Sequence, residues 1–196
     1  MLKDLLAGDM ERYYGHRPST FEFIKYFIHP RTQAVGLFRL SQWFSRKGII
    51  PLAQALELFN MIVWNCELSH KMEVGRGLRI LHTLGVGLAF ASAGENLTVN
   101  VAVIVAGGEH DDEFDLSNRP RFGNNVTIHL GARIFGGITV GDNVIIGAHT
   151  LVNRSVPANC VVAGCPARII RHLPGYVQPP DPESYCKDIT KQEKHL

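Results

Sequence analysis

A period of six residues between Phe122 and Val156 constrains the fold of this chain more than any other feature. An apolar side chain returns at every sixth position: Phe122, Ile128, Ile134, Val140, Ile146 and Val152. An α-helix repeats every 3.6 residues and an ordinary strand every two, so neither produces an unbroken period of six. A hexapeptide repeat does, because each hexad supplies a short strand and a turn and three hexads close one triangular coil. The fold class that follows is mainly β, a parallel β-helix with the repeated apolar side chains inside the prism.

The same period begins earlier in the chain, with one irregularity. Its apolar positions are Val74, Ile80, Val86, Val99 and Val105. Ser92 falls where an aliphatic residue is due, and the register resumes one residue later. We therefore predict a β-helix domain over residues 71–171 with a slightly irregular coil at 92–98.

Three segments lack the hexad pattern. Residues 1–70 carry apolar residues at helical spacing around 21–28, from 34 to 46 and from 52 to about 65, which predicts an N-terminal helical region. These apolar-rich helices either pack on one another or dock part of their surface on other subunits. A polar insertion at 109–120 is expected to protrude as a loop, where functional residues often lie. The Pro-rich and charged segment 172–196 is expected to form an extended tail.

Composition excludes several classes of partner. The net charge is +2, from 20 basic and 18 acidic residues, so the charge gives no reason to expect nucleic-acid binding. No segment reaches the roughly 18 apolar residues that a membrane span requires. The N-terminus lacks the basic start and apolar run of a signal peptide. The four cysteines, Cys66, Cys160, Cys165 and Cys186, form no Cys-x-x-Cys pair, so we expect reduced thiols, no metal site and a cytoplasmic location.

The end of the repeat carries a resemblance to a known family. Residues 155–168 read SVPANCVVAGCPAR, and this ending resembles that of the left-handed β-helix acyltransferases. A His-x-x-Gly element at His82 and Gly85, with a Gly-Gly pair 25 residues after His82, is similar to the serine acetyltransferase branch. The likeness spans about residues 30–171. The opening residues Asp4-Leu5 and 11–15 are more similar to the relatives of that branch found with surface-polysaccharide genes.

The resemblance implies an assembly and a donor. It implies a left-handed helix, against the usual handedness of crossover connections. It also implies a homotrimer, or a dimer of trimers, that binds acetyl-CoA in the groove between neighbouring prisms and needs no metal. By family position, the residues expected at the donor are Gly107, Gly108, Gly131, Gly147, Ala148, Ala163, Gly164 and Arg168. Glycine and alanine let the pantetheine lie flat, and an arginine suits a phosphate.

Acetyl transfer to a hydroxyl needs a base that works near neutral pH, and an imidazole suits that task. His82 occupies the place of the family's catalytic histidine, and Glu67, 15 residues earlier, occupies that of the orienting carboxylate. The alternatives are a structural corner histidine and a solvated carboxylate. Backbone N–H groups near Gly107 and Gly108 are candidates for an oxyanion hole. His110 in the insertion is the rival base and otherwise a contact to substrate, although its acidic neighbours favour its protonated form.

The acceptor is where this chain departs from the serine enzymes. Leu81 stands where they have an aspartate that contacts the amino acid. Asn118 and Arg119 stand where they have Arg-His before a proline, so these two residues, with His110, are the expected acceptor contacts. A site that recognises charged groups discriminates strongly through them, and their loss weakens the case for serine.

The sequence thus predicts a CoA-dependent O-acetyltransferase acting on a saccharide hydroxyl in cell-surface polysaccharide synthesis. One alternative is a serine acetyltransferase of cysteine synthesis, and the ending His195-Leu196 differs from the C-terminal isoleucine which that class uses for docking. A second alternative is a non-catalytic trimeric scaffold. The spacing of His82, His110 and His129 does not fit the metal-binding γ-class carbonic anhydrases.

Overall fold

The chain folds into a helical region followed by a parallel β-helix. The computed structural model describes residues 2–108 and 114–187. Over these residues the chain forms four α-helices, three parallel sheets wound as a β-helix of about five coils, and an antiparallel hairpin at the end of the third sheet. The predicted fold class, a left-handed parallel β-helix preceded by α-helices, is confirmed. His110 lies outside the described residues.

The four helices are α1 (Leu2–Tyr14), α2 (Thr20–Ile28), α3 (Pro30–Arg46) and α4 (Ile50–Trp64). A capping box of Ser19 and Glu22 starts α2, and Pro51 lies in the first turn of α4. Asn65, in the left-handed conformation, ends α4. Sequence analysis did not predict α1, because Gly8 and Asp9 interrupt its apolar pattern.

The strands are short and follow the hexads. They are β1 (Cys66–Leu68), β2 (Glu73–Val74), β3 (Arg79–Ile80), β4 (Val86–Leu88), β5 (Ser92–Ala93), β6 (Thr98–Val99), β7 (Ile104–Ala106), β8 (Arg121–Phe122), β9 (Thr127–Ile128), β10 (Arg133–Phe135), β11 (Thr139–Val140), β12 (Ile145–Ile146), β13 (Leu151–Val152), β14 (Cys160–Ala163) and β15 (Arg168–His172). The first sheet has the order β1-β4-β7-β10-β13, the second β2-β5-β8-β11, and the third β3-β6-β9-β12-β14-β15. Each coil therefore contributes one strand in turn to each sheet.

The repeated apolar residues fill the prism, as the period predicts. All six hexad residues from Phe122 to Val152 are buried. In the irregular coil Ala93 takes the inward position in place of Ser92, which explains why the register resumes one residue later. The first strand begins at Cys66, before the predicted boundary at residue 70, because Cys66 and Leu68 already belong to the buried core.

An asparagine ladder runs along the edge between the second and third sheets. Its members are Asn96, Asn125, Asn143 and Asn159. Each side-chain amide donates to the next amide oxygen, at 3.0, 3.0 and 2.8 Å, and Asn159 donates to the carbonyl of Gly175 at 2.9 Å. All four residues have φ between 55° and 64°, a conformation that asparagine tolerates better than other side-chain-bearing residues. The ladder joins successive turns of this edge.

A buried ion pair fastens the helices to the prism. Arg39 Nε lies 2.7 Å from Asp9 Oδ2, and Arg39 Nη2 lies 3.0 Å from Asp9 Oδ1. The same guanidinium donates to the carbonyl oxygens of Val74 and Gly75, and the Leu78 N–H donates to Asp9 Oδ1. Both charges are thus bonded on several sides, as a buried pair requires.

Residues 185–187 of the predicted extended tail return to the last coil, where Tyr185 forms a parallel β-bridge with Ser155. The Cys186 N–H donates to the carbonyl of Ser155, and the Ile169 N–H donates to the carbonyl of Lys187. Cys186 is buried, so its burial and these backbone bonds hold the segment against the prism.

Candidate functional site

A groove crosses the start of the first sheet, between α4 and the segment that precedes β8. It consists of two adjoining depressions of about 360 Å³ each, which share Glu67, Ala89 and Arg119. The depression under α4 is lined by Gln54, Glu57, Leu58, Met61, Glu67, Ser69, Ala89, Phe114 and Arg119. We call it the α4 pocket. The second depression follows the strands towards Gly107 and Gly108.

Arg119, near the end of the insertion, lines both depressions of this groove. Its Nη1 donates to the carbonyl of Ala89 at 2.8 Å, and its guanidinium carbon lies 3.6 Å from the centre of the Phe114 ring. Only 7% of Arg119 is exposed. The predicted protruding loop is therefore wrong for residues 119–120, which pack on the prism. Arg119 thus lies at the groove, and its role as an acceptor contact stays a prediction.

Asn118, near the end of the insertion, contacts the glycine pair Gly107-Gly108 that precedes the insertion. The Gly108 N–H donates to the Asn118 carbonyl at 3.2 Å, and a side chain at Gly108 would collide with the Asn118 amide. Because the Gly108 N–H is already used, it is a poorer oxyanion donor than the sequence suggested. Gly107 keeps its place in the groove lining.

His82 lies at the edge where the third sheet turns into the first. The turns of this edge are residues 81–85, 100–103, 129–132 and 147–150, and they carry His82, His129 and His149, so we call it the histidine edge. His82 is exposed and Glu67 is exposed on the adjoining strand β1. In the described part of the chain no hydrogen bond or ion pair joins His82 to Glu67. The orienting role of Glu67 stays a prediction.

Several of the residues expected at the donor stack on the same edge. Backbone bonds join its successive levels, from the Asn100 N–H to Ile128, from His129 to Ile146 and from Gly147 to Val162. Gly131, Gly147, Ala148, Ala163 and Gly164 occupy its later levels. A side chain at Gly131 would collide with the His149 imidazole, and Gly131 has φ +68°, so glycine is required there. Beyond His82 the edge therefore carries both small residues and the side chains of His129 and His149.

Arg168 lies at the far end of the prism beside other cations. Together with Arg154 and Lys187 it lines a depression of about 180 Å³. Three cationic side chains around one depression suit a phosphate group. With coils about 4.8 Å apart, four levels separate His82 from the hairpin turn before Arg168 by about 19 Å along the axis. The sequence singled out Arg168 but not Arg154 or Lys187.

Sequence analysis also missed Glu57 and His70. Glu57 Oε1 lies 2.8 Å from His70 Nδ1 and also accepts from the backbone N–H of His70. Glu57 lines the α4 pocket. The one available signal was its position as the only charged residue in α4.

The structure gives two further negative findings. Within residues 2–108 and 114–187, no group of three or more His, Cys, Asp or Glu side chains is arranged to hold a metal ion. None of the helices in those residues is long and apolar enough to cross a bilayer.

The chain is similar to serine acetyltransferases in sequence and in structure. It is 27% identical to the serine acetyltransferase of Synechococcus elongatus over 179 residues, 90% of this chain and 72% of the relative. It is 28% identical to that of Helicobacter pylori over 144 residues, 73% of this chain and 82% of the relative. The crystal structure of the Brucella abortus serine acetyltransferase in complex with coenzyme A superimposes with a TM-score of 0.75 at 26% identity, covering 87% of this chain and 68% of that one. No family model matches the chain.

Proposed function

The chain is a serine acetyltransferase-like, acetyl-CoA-dependent O-acetyltransferase of the hexapeptide-repeat class, and we propose that its acceptor is L-serine. The observation that carries this proposal is that the relatives compared above are serine acetyltransferases over most of the chain. The α4 pocket adds support, because carboxylates and a guanidinium together suit an acceptor with both charges.

His82 acts as the general base in this proposal. The neutral imidazole takes the proton of the acceptor hydroxyl as its oxygen attacks the thioester carbonyl. The tetrahedral intermediate then expels the thiolate of coenzyme A, which receives the proton from the imidazolium. Glu67 favours the imidazolium from the adjoining strand. His82 is not part of the lining of either depression, but Gly87 and Ile104 of the second one lie on the strands that follow the histidine edge, so we put the acceptor hydroxyl at that end of the groove.

The donor lies along the histidine edge. Gly131, Gly147 and Gly164 lie along this edge, where the His149 imidazole packs against Gly131 and Ala163 against Gly147. Arg154, Arg168 and Lys187 then meet the phosphates at the far end. His82 lies at the opposite end of the edge, so we put the thioester there, beside the proposed base.

The assembly is a homotrimer, alone or paired as a dimer of trimers. Large apolar side chains are exposed on α4 at Leu58, Phe59, Met61, Ile62 and Val63. An apolar surface of this kind is typical of a protein interface. Light scattering of the purified protein measures the assembly directly, and a monomer at working concentration would contradict it.

A saccharide hydroxyl in polysaccharide synthesis is the second candidate acceptor. Leu81 directly before the base, and Asn118 beside the groove, favour it, because neither provides the charge that an amino acid requires. A saccharide presents only neutral hydroxyls, which the carboxylates of the α4 pocket can accept as hydrogen-bond donors.

Thiol release from acetyl-CoA separates the two acceptors. We expect release with L-serine and none above background with a panel of nucleotide sugars and oligosaccharides. His82→Ala should lower the rate by about 10²–10⁴-fold, whereas His16→Ala, an exposed histidine in the linker after α1, should match the wild type. Release only with a saccharide would replace serine by the second candidate, and full activity in His82→Ala would move the base to His110.

A further inference from the structure

Glu57 is unusual for its place in the fold. The helix α4 has the sequence IPLAQALELFNMIVW, and Glu57 is the only ionisable residue in it. Its side chain is 24% exposed and lines the α4 pocket, beside Glu67 and Ser69 on the first coil. A lone carboxylate that faces a pocket from an otherwise uncharged helix costs solvation energy unless it meets hydrogen-bond donors.

His70 holds one oxygen of this carboxylate. Oε1 lies 2.8 Å from the imidazole Nδ1 and accepts the backbone N–H of the same residue. The His70 side chain is only 6% exposed, so its position is determined by packing. The hydrogen bond from the His70 backbone and the neighbouring imidazole restrict the rotamers of Glu57.

The second oxygen is left for a ligand. In the described part of the chain Oε2 makes no hydrogen bond and no ion pair. The charged side chains that line the pocket are Glu57, Glu67 and Arg119, and Lys71 lies beside it, with Nζ 5.0 Å from the centre of the Phe114 ring. The second oxygen of Glu57 favours a ligand whose end near it is cationic.

We propose that Glu57 is a specificity-determining residue of the acceptor site, where its Oε2 accepts a hydrogen bond from the ammonium group of an amino-alcohol acceptor. The proposal rests on the function proposed above, since it assumes an acceptor in the α4 pocket. A charge-assisted bond from an ammonium to a fixed carboxylate is strong and directional. Glu57 thereby supplies the recognition of the amine that Leu81 cannot.

The test compares three acceptors that share a primary hydroxyl and differ in charge. L-serine carries an ammonium and a carboxylate, ethanolamine only the ammonium, and 3-hydroxypropionate only the carboxylate. Glu57→Gln should raise KM for L-serine and ethanolamine by about 10- to 100-fold, with kcat little changed. The ratio of kcat/KM for L-serine over 3-hydroxypropionate should fall by a similar factor. The control is Glu73→Gln, which removes an exposed carboxylate on the second sheet.

Folding is checked in the same samples. The dissociation constant for coenzyme A should be the same in Glu57→Gln and in the wild type, because Glu57 lies in the α4 pocket, whose lining includes none of the residues expected at the donor. Glu57→Asp keeps the charge and should restore part of the affinity for L-serine.

The outcomes separate the two proposals. If the wild type acetylates L-serine and Glu57→Gln has the same KM, the role of Glu57 is wrong while the proposed function stands. An equal loss with all three acceptors, or weaker coenzyme A binding, would make Glu57 a structural residue and overturn the inference. If the wild type acetylates only saccharides, the proposed acceptor fails and the inference fails with it.

Discussion

Asp9→Asn should destabilise the protein strongly, although it only replaces one carboxylate oxygen by an amide nitrogen. The substitution keeps the shape of the side chain but removes the charge that faces Arg39. Both side chains are fully buried, at 0% exposure, with Nε and Oδ2 only 2.7 Å apart. Breaking a buried pair by removing one partner leaves an uncompensated charge and costs about 3–5 kcal/mol. The carbonyls of Val74 and Gly75 still accept from Arg39, so we expect the lower end of that range.

Glu11→Gln on the same helix is the matched control. Glu11 Oε2 lies 3.5 Å from Arg76 Nη2, and the two side chains are 40% and 50% exposed. An ion pair in solvent contributes about 0–1 kcal/mol, so this variant should unfold almost as the wild type does. The two substitutions make the same chemical change in α1 and differ in burial.

Urea unfolding followed by circular dichroism measures both variants, at one protein concentration because subunit assembly contributes to stability. The midpoint should fall clearly for Asp9→Asn and little for Glu11→Gln. The double variant Asp9→Asn with Arg39→Met should recover part of the loss, since no charge is left buried. A midpoint for Asp9→Asn equal to that of Glu11→Gln would refute the reasoning.

Two other predictions concern the ladder and the thiols. Asn143→Ala and Asn143→Gly both lose the hydrogen bonds to Asn125 and Asn159, but only the first places alanine at φ 55°. Thermal unfolding should therefore show Asn143→Ala to be less stable than Asn143→Gly by about 1 kcal/mol. Equal stabilities would contradict this. Burial raises the pKa of the Cys66 thiol to about 12 and that of Cys186 to about 11. At about pH 8 the thiolate fraction is then roughly one in ten thousand for the first and one in a thousand for the second. Mass spectrometry after iodoacetamide should find the exposed Cys165 labelled in the folded protein and Cys66 only in urea.

The prism was predictable because every hexad repeats the same short strand, inward apolar side chain and turn. A residue such as Ile134 points inward for the same reason as Ile128 and Ile146, so the period alone locates the core. The helix α1 was not predictable in this way, since its buried Asp9 is stabilised by Arg39, a partner 30 residues away. The return of Cys186 to Ser155 is likewise a long-range contact without local periodicity.

The candidate site also contains some residues that the repeat predicts and others that depend on long-range packing. Gly131, Gly147 and Gly164 follow from their place in the repeat, and the structure stacks them on one edge with His82. Glu57 could not be inferred from the repeat, because its role depends on how α4 packs over the first coil. The contact with His70 joins residues 13 apart, and only the fold brings the carboxylate to the pocket.

The residues proposed for the donor and those proposed for the acceptor lie mainly in different parts of the fold. In the proposed function most of the donor residues lie on the histidine edge, whose levels are joined by backbone hydrogen bonds, so we expect substitutions in α4 to leave donor binding intact. In the proposed function the acceptor pocket is lined by α4, by Phe114 and Arg119, and by Glu67, Ser69 and Ala89 of the first coils. Changes in the pocket-facing side chains of α4 can therefore alter the acceptor without changing the hexads or the proposed base. We therefore expect a few side chains such as Glu57 and Arg119 to decide between an amino-acid acceptor and a saccharide, since the fold alone permits either.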